Sequence, residues 1–213
     1  MKVVGVILCG GKSTRMGVDK ASLSFAGNTL IDRSRALLEG LAADYTLLDI
    51  VTSGRADQSA GVIDLYSGRG PLGGIHAVMR NVLERFGDSS PVYLLIVPVD
   101  MPCLRLEDLK KLLALCDGQR AVVHYSQSVL PLAVKAGKDI LNKIEAMLEN
   151  SQEPGKASVK GFIGSTREKQ AVKCEREVSL FNVNTPEDLK RALSFYQEEL
   201  SYENSNEPFK NPL

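Results

Sequence analysis

The sequence has no excess of either charge and no long apolar run. Its 26 lysines and arginines balance 26 aspartates and glutamates, so the formal net charge is zero at pH 7. Without a basic excess there is no general reason to expect a nucleic acid or a membrane surface as partner. The apolar run 3–9 is too short to span a membrane or to form the core of a signal peptide. We therefore expect a soluble, cytoplasmic protein.

The sequence also lacks a cysteine framework and a histidine cluster. Its four cysteines are scattered and include no C-x-x-C pair, which argues against a zinc site and a disulfide scaffold. Neither of the two histidines, His76 and His124, has a sequence neighbour that suggests metal binding or nucleophilic catalysis, so we expect both to be structural. At 213 residues and 44% hydrophobic, the chain can bury one proper core. We predict one domain over 1–200 and a polar tail over 201–213.

Short apolar runs alternate with amphipathic segments along most of the chain. The run 92–97 is apolar throughout, as in strands buried on both faces of a parallel sheet. The segment 75–86 repeats apolar residues every three or four positions, which predicts a helix. This alternation predicts an α/β fold with a doubly wound, mostly parallel sheet. Residues 121–125 and 129–135 are predicted to pair as a small β-hairpin, and 180–184 to form a last strand.

The segment after the first predicted strand combines glycines with positive charge. Two adjacent glycines let the backbone turn closely and present N–H groups to an anion, which favours a phosphate-rich ligand. A Walker A loop would need a glycine where Val6 stands, and the pattern G-x-G-x-x-G is absent. The cations of this segment are Lys12, Arg15 and Lys20.

Two aspartates follow predicted strands. Asp64 comes after the short strand 61–63, and Asp100 comes after 92–97. Ligands of doubly wound sheets bind beyond the carboxyl ends of the strands, so both aspartates can converge with the glycine-rich loop. Each could instead cap a turn. Because one or two carboxylates usually hold Mg²⁺ beside nucleotide phosphates, Asp100 is a candidate metal ligand.

Three motifs together resemble one enzyme family. The pattern L-x-G-G-x-S-x-R-M-G-x-D-K at 8–20 resembles the signature loop of the Rossmann-like nucleotidyltransferases. G-P-L-x-G-I at 70–75 and N-x-N-T-P-E-D-L at 182–189 resemble the molybdenum cofactor guanylyltransferases, the MobA family. Cys9 replaces the alanine most usual there. The resemblance implies a three-layer, Rossmann-like α/β fold, a mostly parallel sheet flanked by helices, with a small β-hairpin insertion.

The resemblance also implies roles for individual residues. Arg15, Lys20 and Asp100 are implied to be catalytic, with Asp100 holding Mg²⁺. Asn182 and Asn184 are implied to bind a pterin. The implied nucleotide-binding residues are Leu8, Cys9, Gly10, Gly11, Ser13, Lys20, Asp64, Asp100 and Thr52, the last in the loop after the second strand.

The implied reaction is transfer of GMP from GTP to molybdopterin-bound molybdenum with release of pyrophosphate. Other cofactor-biosynthesis or molybdoenzyme-maturation proteins are possible partners. Two alternatives stay open: a nucleotidyltransferase that uses CTP or a sugar phosphate, and a non-catalytic nucleotide-binding adaptor in cofactor insertion. A further basic group is either solvated surface or a site for the second substrate's phosphate; its members are Lys156, Lys160 and Arg167.

Overall fold

The computed structural model describes residues 1–9, 19–54, 61–66, 68–88, 90–150 and 157–206. The strands within these ranges are β1 (Lys2–Leu8), β2 (Ser24–Phe25), β3 (Asn28–Thr29), β4 (Thr46–Ser53), β5 (Gly61–Val62), β6 (Val92–Pro98), β7 (Val122–Tyr125), β8 (Leu132–Lys135) and β9 (Lys169–Val172). The α-helices are α1 (Leu30–Glu39), α2 (Pro71–Phe86), α3 (Leu106–Leu113), α4 (Lys138–Asn150), α5 (Val159–Ser165) and α6 (Pro186–Asn206). Short 3₁₀ helices occupy Lys20–Ser22, Gly40–Ala43 and Glu177–Leu180.

Seven strands form one mostly parallel sheet in the order β5-β4-β1-β6-β8-β7-β9. Among these described strands only β8 runs against its neighbours, β6 and β7. After β1 the chain passes to β4 and β5 on one side and then returns to β6 on the other side of β1. This change of direction is the place where doubly wound sheets bind their ligands. The α/β, mostly parallel fold expected from the sequence is confirmed.

The carboxyl ends of the three central strands are level with one another. Leu8 of β1 is in register with Ser53 of β4 and with Pro98 of β6. Beyond the ladder, the Cys9 N–H donates to the Ser53 carbonyl at 3.3 Å, and the Val99 N–H donates to the Leu8 carbonyl at 3.1 Å. The segments that leave these strands therefore start side by side at one edge of the sheet.

Helices cover both faces of the sheet. A side-chain carbon built on Gly5 would lie 3.0 Å from Leu38 of α1, so α1 packs on the face to which odd-numbered β1 residues point. Gly74 of α2 lies against Leu8, which points to the opposite face. All seven residues of β6 are buried between these layers. The result is the three-layer arrangement that the resemblance implied.

The predicted hairpin forms, and its strands β7 and β8 extend the main sheet beside β6. Two details of the chain differ from the sequence-based expectations. The predicted strand 180–184 is wrong, because the 3₁₀ helix Glu177–Leu180 ends there and the backbone that follows joins none of the described strands in a β-ladder. Finally, α6 continues to Asn206, six residues into the predicted polar tail.

Candidate active site

Lys20 is placed by a short turn at the edge of the sheet. It begins the 3₁₀ helix Lys20–Ser22, whose preceding residue Asp19 accepts a hydrogen bond from the Ala21 N–H at 3.1 Å. This is the side-chain capping that aspartate performs at helix starts. In the D-K pair of the first motif, Asp19 therefore caps the turn and Lys20 projects from it.

The Lys20 ammonium joins two residues that are far apart in sequence. Its Nζ lies 3.2 Å from Asp100 Oδ2 and donates a hydrogen bond to Asn184 Oδ1 at 2.7 Å. The Lys20 and Asp100 side chains are 18% and 23% exposed, so a ligand can still reach both. The structure thus places the Lys20 ammonium between Asp100, from the predicted nucleotide site, and Asn184, from the predicted pterin site.

The segment around Asn184 is fixed by backbone hydrogen bonds from both sides. The buried Val183 N–H donates to the Asp100 carbonyl at 2.8 Å, which ties the segment to the turn after β6. Asp188 Oδ2 accepts from the Asn184 and Thr185 N–H groups, and the Asp188 N–H donates to Thr185 Oγ1. This reciprocal capping fixes the start of α6 and holds Asn184 in place.

Asp64 lies in the segment after β5, against the first turn of α2. Its Oδ1 accepts a hydrogen bond from the Tyr66 N–H at 2.8 Å. A side-chain carbon on Gly73 would come within 2.8 Å of both Asp64 carboxylate oxygens, so only glycine permits this approach. Burial raises the pKa of the Asp64 carboxyl, while the Tyr66 hydrogen bond and nearby His76 act in the opposite direction.

The remaining predicted residues fall into two groups. Leu8 and the half-buried Cys9 lie at the end of β1, as expected. Asn182 is exposed and lies on the same side as Asn184, because the buried Val183 stands between them. The other predicted site residues lie outside the described part of the chain: Gly10, Gly11, Ser13, Arg15 and, from the basic group, Lys156.

The predicted loop position of Thr52 is wrong. Thr52 lies inside β4, paired in register with Ile7, and is fully buried. The error arises because β4 continues through Ser53, two residues beyond the apolar run that predicted it. Polar residues at the end of a central strand can still be part of the sheet when neighbouring strands satisfy their backbone groups.

The residues around Lys20 fit a magnesium ion. The Lys20 ammonium shows that a cation is accommodated between Asp100 and Asn184, and both supply oxygen atoms. Oxygen is the donor that Mg²⁺ prefers, and one carboxylate together with substrate phosphates is a common ligand set. Over the described ranges, no group of three histidine, cysteine or acidic side chains could hold a metal by itself. A metal here would therefore depend on the nucleotide for ligands.

Sequence reasoning missed Tyr66 and Ser53. Tyr66 supports Asp64 through its backbone, and Ser53 supports Cys9 in the same way. Neither residue belongs to a recognisable pattern, because both act through main-chain atoms that any residue carries. None of the described helices is long and apolar enough to cross a bilayer.

The chain is similar to proteins that are named molybdenum cofactor guanylyltransferases. The chain is 30% identical over 190 residues to a molybdenum cofactor guanylyltransferase of Xanthomonas euvesicatoria pv. vesicatoria, covering 89% of this chain and 93% of the relative. It is also 30% identical over 205 residues to a probable molybdenum cofactor guanylyltransferase of Pelotomaculum thermopropionicum, covering 90% and 92%.

A solved structure shares the fold. Molybdopterin-guanine dinucleotide biosynthesis protein A from Archaeoglobus fulgidus superimposes with a TM-score of 0.61 at 20% identity, covering 92% of this chain and 99% of that one. Residues 5–167 match the family model of the MobA-like NTP transferase domain. This match spans most of the sheet and the Lys20–Asp100 pair. The chain is a nucleotidyltransferase and belongs to the MobA-like NTP transferase family.

Proposed function

We propose that this enzyme transfers GMP from GTP to molybdopterin-bound molybdenum and releases pyrophosphate. The observation that carries the proposal is the position of the Lys20 ammonium between Asp100 and Asn184. One of these residues belongs to the predicted nucleotide site and the other to the predicted pterin site. A single cation at their junction is suited to a reaction in which two phosphate-bearing substrates must meet.

The reaction joins two anions that repel each other. A phosphate oxygen of molybdopterin attacks the α-phosphorus of GTP, the bond from that phosphorus to the bridging oxygen breaks, and pyrophosphate leaves with the bonding electrons. Catalysis of this kind consists mainly of alignment and neutralisation of charge. No covalent enzyme intermediate is required.

Lys20 supplies positive charge that is already oriented. The Asp19 cap sets its backbone, and Asn184 and Asp100 hold its ammonium before any phosphate arrives. Prearranged charge stabilises the transition state without a cost of reorganisation during the reaction. Arg15 is assigned the same role toward the triphosphate. When bound at Asp100, Mg²⁺ supplies further neutralisation of the phosphates.

Two observations favour guanine as the base of the nucleotide substrate. The loop G-P-L-G-G-I at 70–75 has the form expected of guanylyltransferases, and the relatives above bear that name. In the structure this loop becomes the start of α2, which lies against Asp64. We assign Asp64 to the nucleoside, and Asn182 and Asn184 to the pterin.

Pyrophosphate release tests the proposal. The protein is supplied with Mg²⁺, molybdenum-loaded molybdopterin and either GTP, CTP, ATP or UTP in separate reactions. Release with GTP alone is the expected result. Release with CTP would keep the reaction class and overturn the assignment of the base. Tight GTP binding without release would favour the non-catalytic adaptor.

A further inference from the structure

His76 is a buried histidine whose ring has no hydrogen-bond partner among the residues that the structure describes. It lies on α2, two positions beyond Gly74, and is 1% exposed. Both ring nitrogens are buried and unpaired within those ranges. An unpaired buried polar group costs free energy, and in a native protein it requires an explanation. The sequence led us to expect that His76 is only structural. In that case an apolar residue would fill the same site at a lower cost in free energy.

The surroundings of His76 connect it to the nucleotide site. The Tyr66 ring meets the imidazole edge-on, with centroids 4.9 Å apart and planes at 84°. Glu145 Oε1 lies 3.8 Å from His76 Nε2, and the Tyr66 hydroxyl donates to Glu145 and Glu149 at 3.5 and 3.3 Å. The charged groups that face the ring are Asp64 from the segment after β5, Arg80 from α2, and Glu145 and Glu149 from α4.

We propose that His76 is a positioning residue of the nucleotide site: its neutral ring supports Tyr66 and thereby Asp64, and its protonation weakens nucleotide binding. The inference rests on the proposed function only in placing a nucleotide against Asp64. It concerns binding, and it makes no use of the transfer step.

The 3.8 Å between His76 Nε2 and Glu145 Oε1 is too long for a hydrogen bond. A charged imidazolium donates to a carboxylate at about 2.7–2.9 Å, so protonation would bring Glu145 about 1 Å closer to Nε2. The charged ring and the Tyr66 hydroxyl would then compete for the same oxygen, Glu145 Oε1, to which the Tyr66 bond is already long at 3.5 Å. The Tyr66 backbone holds Asp64 Oδ1 at 2.8 Å, so a shift of Tyr66 reaches the carboxylate assigned to the nucleoside.

The direction of the pH effect follows from this geometry. Burial and Arg80 lower the pKa of His76, while the acidic groups facing it act in the opposite direction, and burial has the largest effect. The neutral ring therefore prevails at neutral pH, and the charged ring forms only as the pH falls below the ordinary histidine range. Nucleotide affinity is full above that pKa and declines below it. By reciprocity, bound nucleotide lowers the pKa of His76.

The first test compares GTP affinity at pH 7.5 and pH 5.5 in the wild type, His76→Leu and His124→Gln. Protonation of GTP itself affects all three proteins equally, so it cancels in the comparison. We expect the loss of affinity on acidification to be greater in wild type and His124→Gln than in His76→Leu, reaching about fivefold once the pH is below the His76 pKa of both the free and the GTP-bound protein. An equal loss in all three proteins would overturn the proposal.

The second test leaves His76 unchanged and so does not depend on the folding of His76→Leu. The sequence has two histidines, so the His124→Gln protein gives one histidine resonance to follow by NMR. We expect saturating GTP to lower the pKa of His76 by about 0.7, the logarithm of the fivefold change. A pKa that GTP does not move would refute the coupling while leaving the proposed function intact. Absence of GTP binding at every pH would overturn both.

Discussion

Lys20 combines a fixed backbone with a side chain that contacts both predicted substrate sites. An ammonium group has three N–H donors, and in the structure Lys20 directs donors to Asp100 and Asn184. A phosphate that enters this junction meets a cation whose position is already set. Because both contacts are partly open to solvent, they contribute little to the stability of the fold. Their value lies in orientation, which separates the effects of substitution on activity and on stability.

Replacing Lys20 with alanine should reduce the rate of pyrophosphate release about 100- to 1000-fold, as loss of an oriented transition-state donor does elsewhere. The free energy of unfolding should change by less than about 1 kcal/mol. Lys111→Ala is the matched control, because Lys111 lies on α3 and bonds to Lys173 and Glu175. A Lys20→Ala enzyme as fast as the wild type would contradict the role assigned to Lys20.

Replacing Asp100 with asparagine keeps the shape of the side chain and removes its charge. Mg²⁺ binds carboxylates in preference to amides, so the Mg²⁺ concentration for half-maximal activity should rise at least about tenfold. Asp139→Asn, an exposed substitution in the first turn of α4, should leave that concentration unchanged. If the activity of Asp100→Asn depended on Mg²⁺ as that of the wild type does, the assignment of Asp100 as a metal ligand would be wrong.

At the scale of elements, the start of α2 is shaped by close approach to its neighbours. A side-chain carbon on Gly74 would lie 2.2 Å from Ser53 Oγ of β4, and one on Gly73 would lie 2.8 Å from the Asp64 carboxylate. Pro71 begins the helix and supplies the backbone angle of a first turn. The two glycines let this turn pack directly on the sheet end and on the Asp64 segment.

Replacing Gly73 with alanine should therefore disturb Asp64 while leaving the sheet in place. The carboxylate must move, and the Tyr66 carbonyl at 3.1 Å limits where the new methyl group can go. We expect a loss of about 1–3 kcal/mol in the free energy of unfolding and weaker GTP binding. Gly164→Ala is the control, since a side-chain carbon there meets nothing within 4 Å among the described atoms. If Gly73→Ala bound GTP as well as the control, Asp64 would not contact the nucleotide.

At the scale of the whole molecule, the sequence predicted the sheet well because strand burial leaves a direct pattern. β1 and β6 are apolar runs, and their common register places Cys9 and Asp100, which follow them, at one edge. The segment 180–184 misled prediction because its pattern of apolar residues and asparagines also suits a segment that is tied to the turn after β6 through the Val183 N–H and joins no strand. The Lys20–Asn184 bond joins residues 164 positions apart, and no local pattern encodes such a contact.

The most direct test of the central claim follows the α-phosphate of GTP. Enzyme, Mg²⁺ and molybdenum-loaded molybdopterin are incubated with GTP labelled at the α-phosphorus, and the products are separated. The account predicts that label enters a pterin–guanine dinucleotide, with one pyrophosphate released for each label transferred, and that Lys20→Ala slows both together. Label that stays in protein-bound GTP, or label that enters the pterin only in a parallel reaction with CTP labelled at its α-phosphorus, would contradict it.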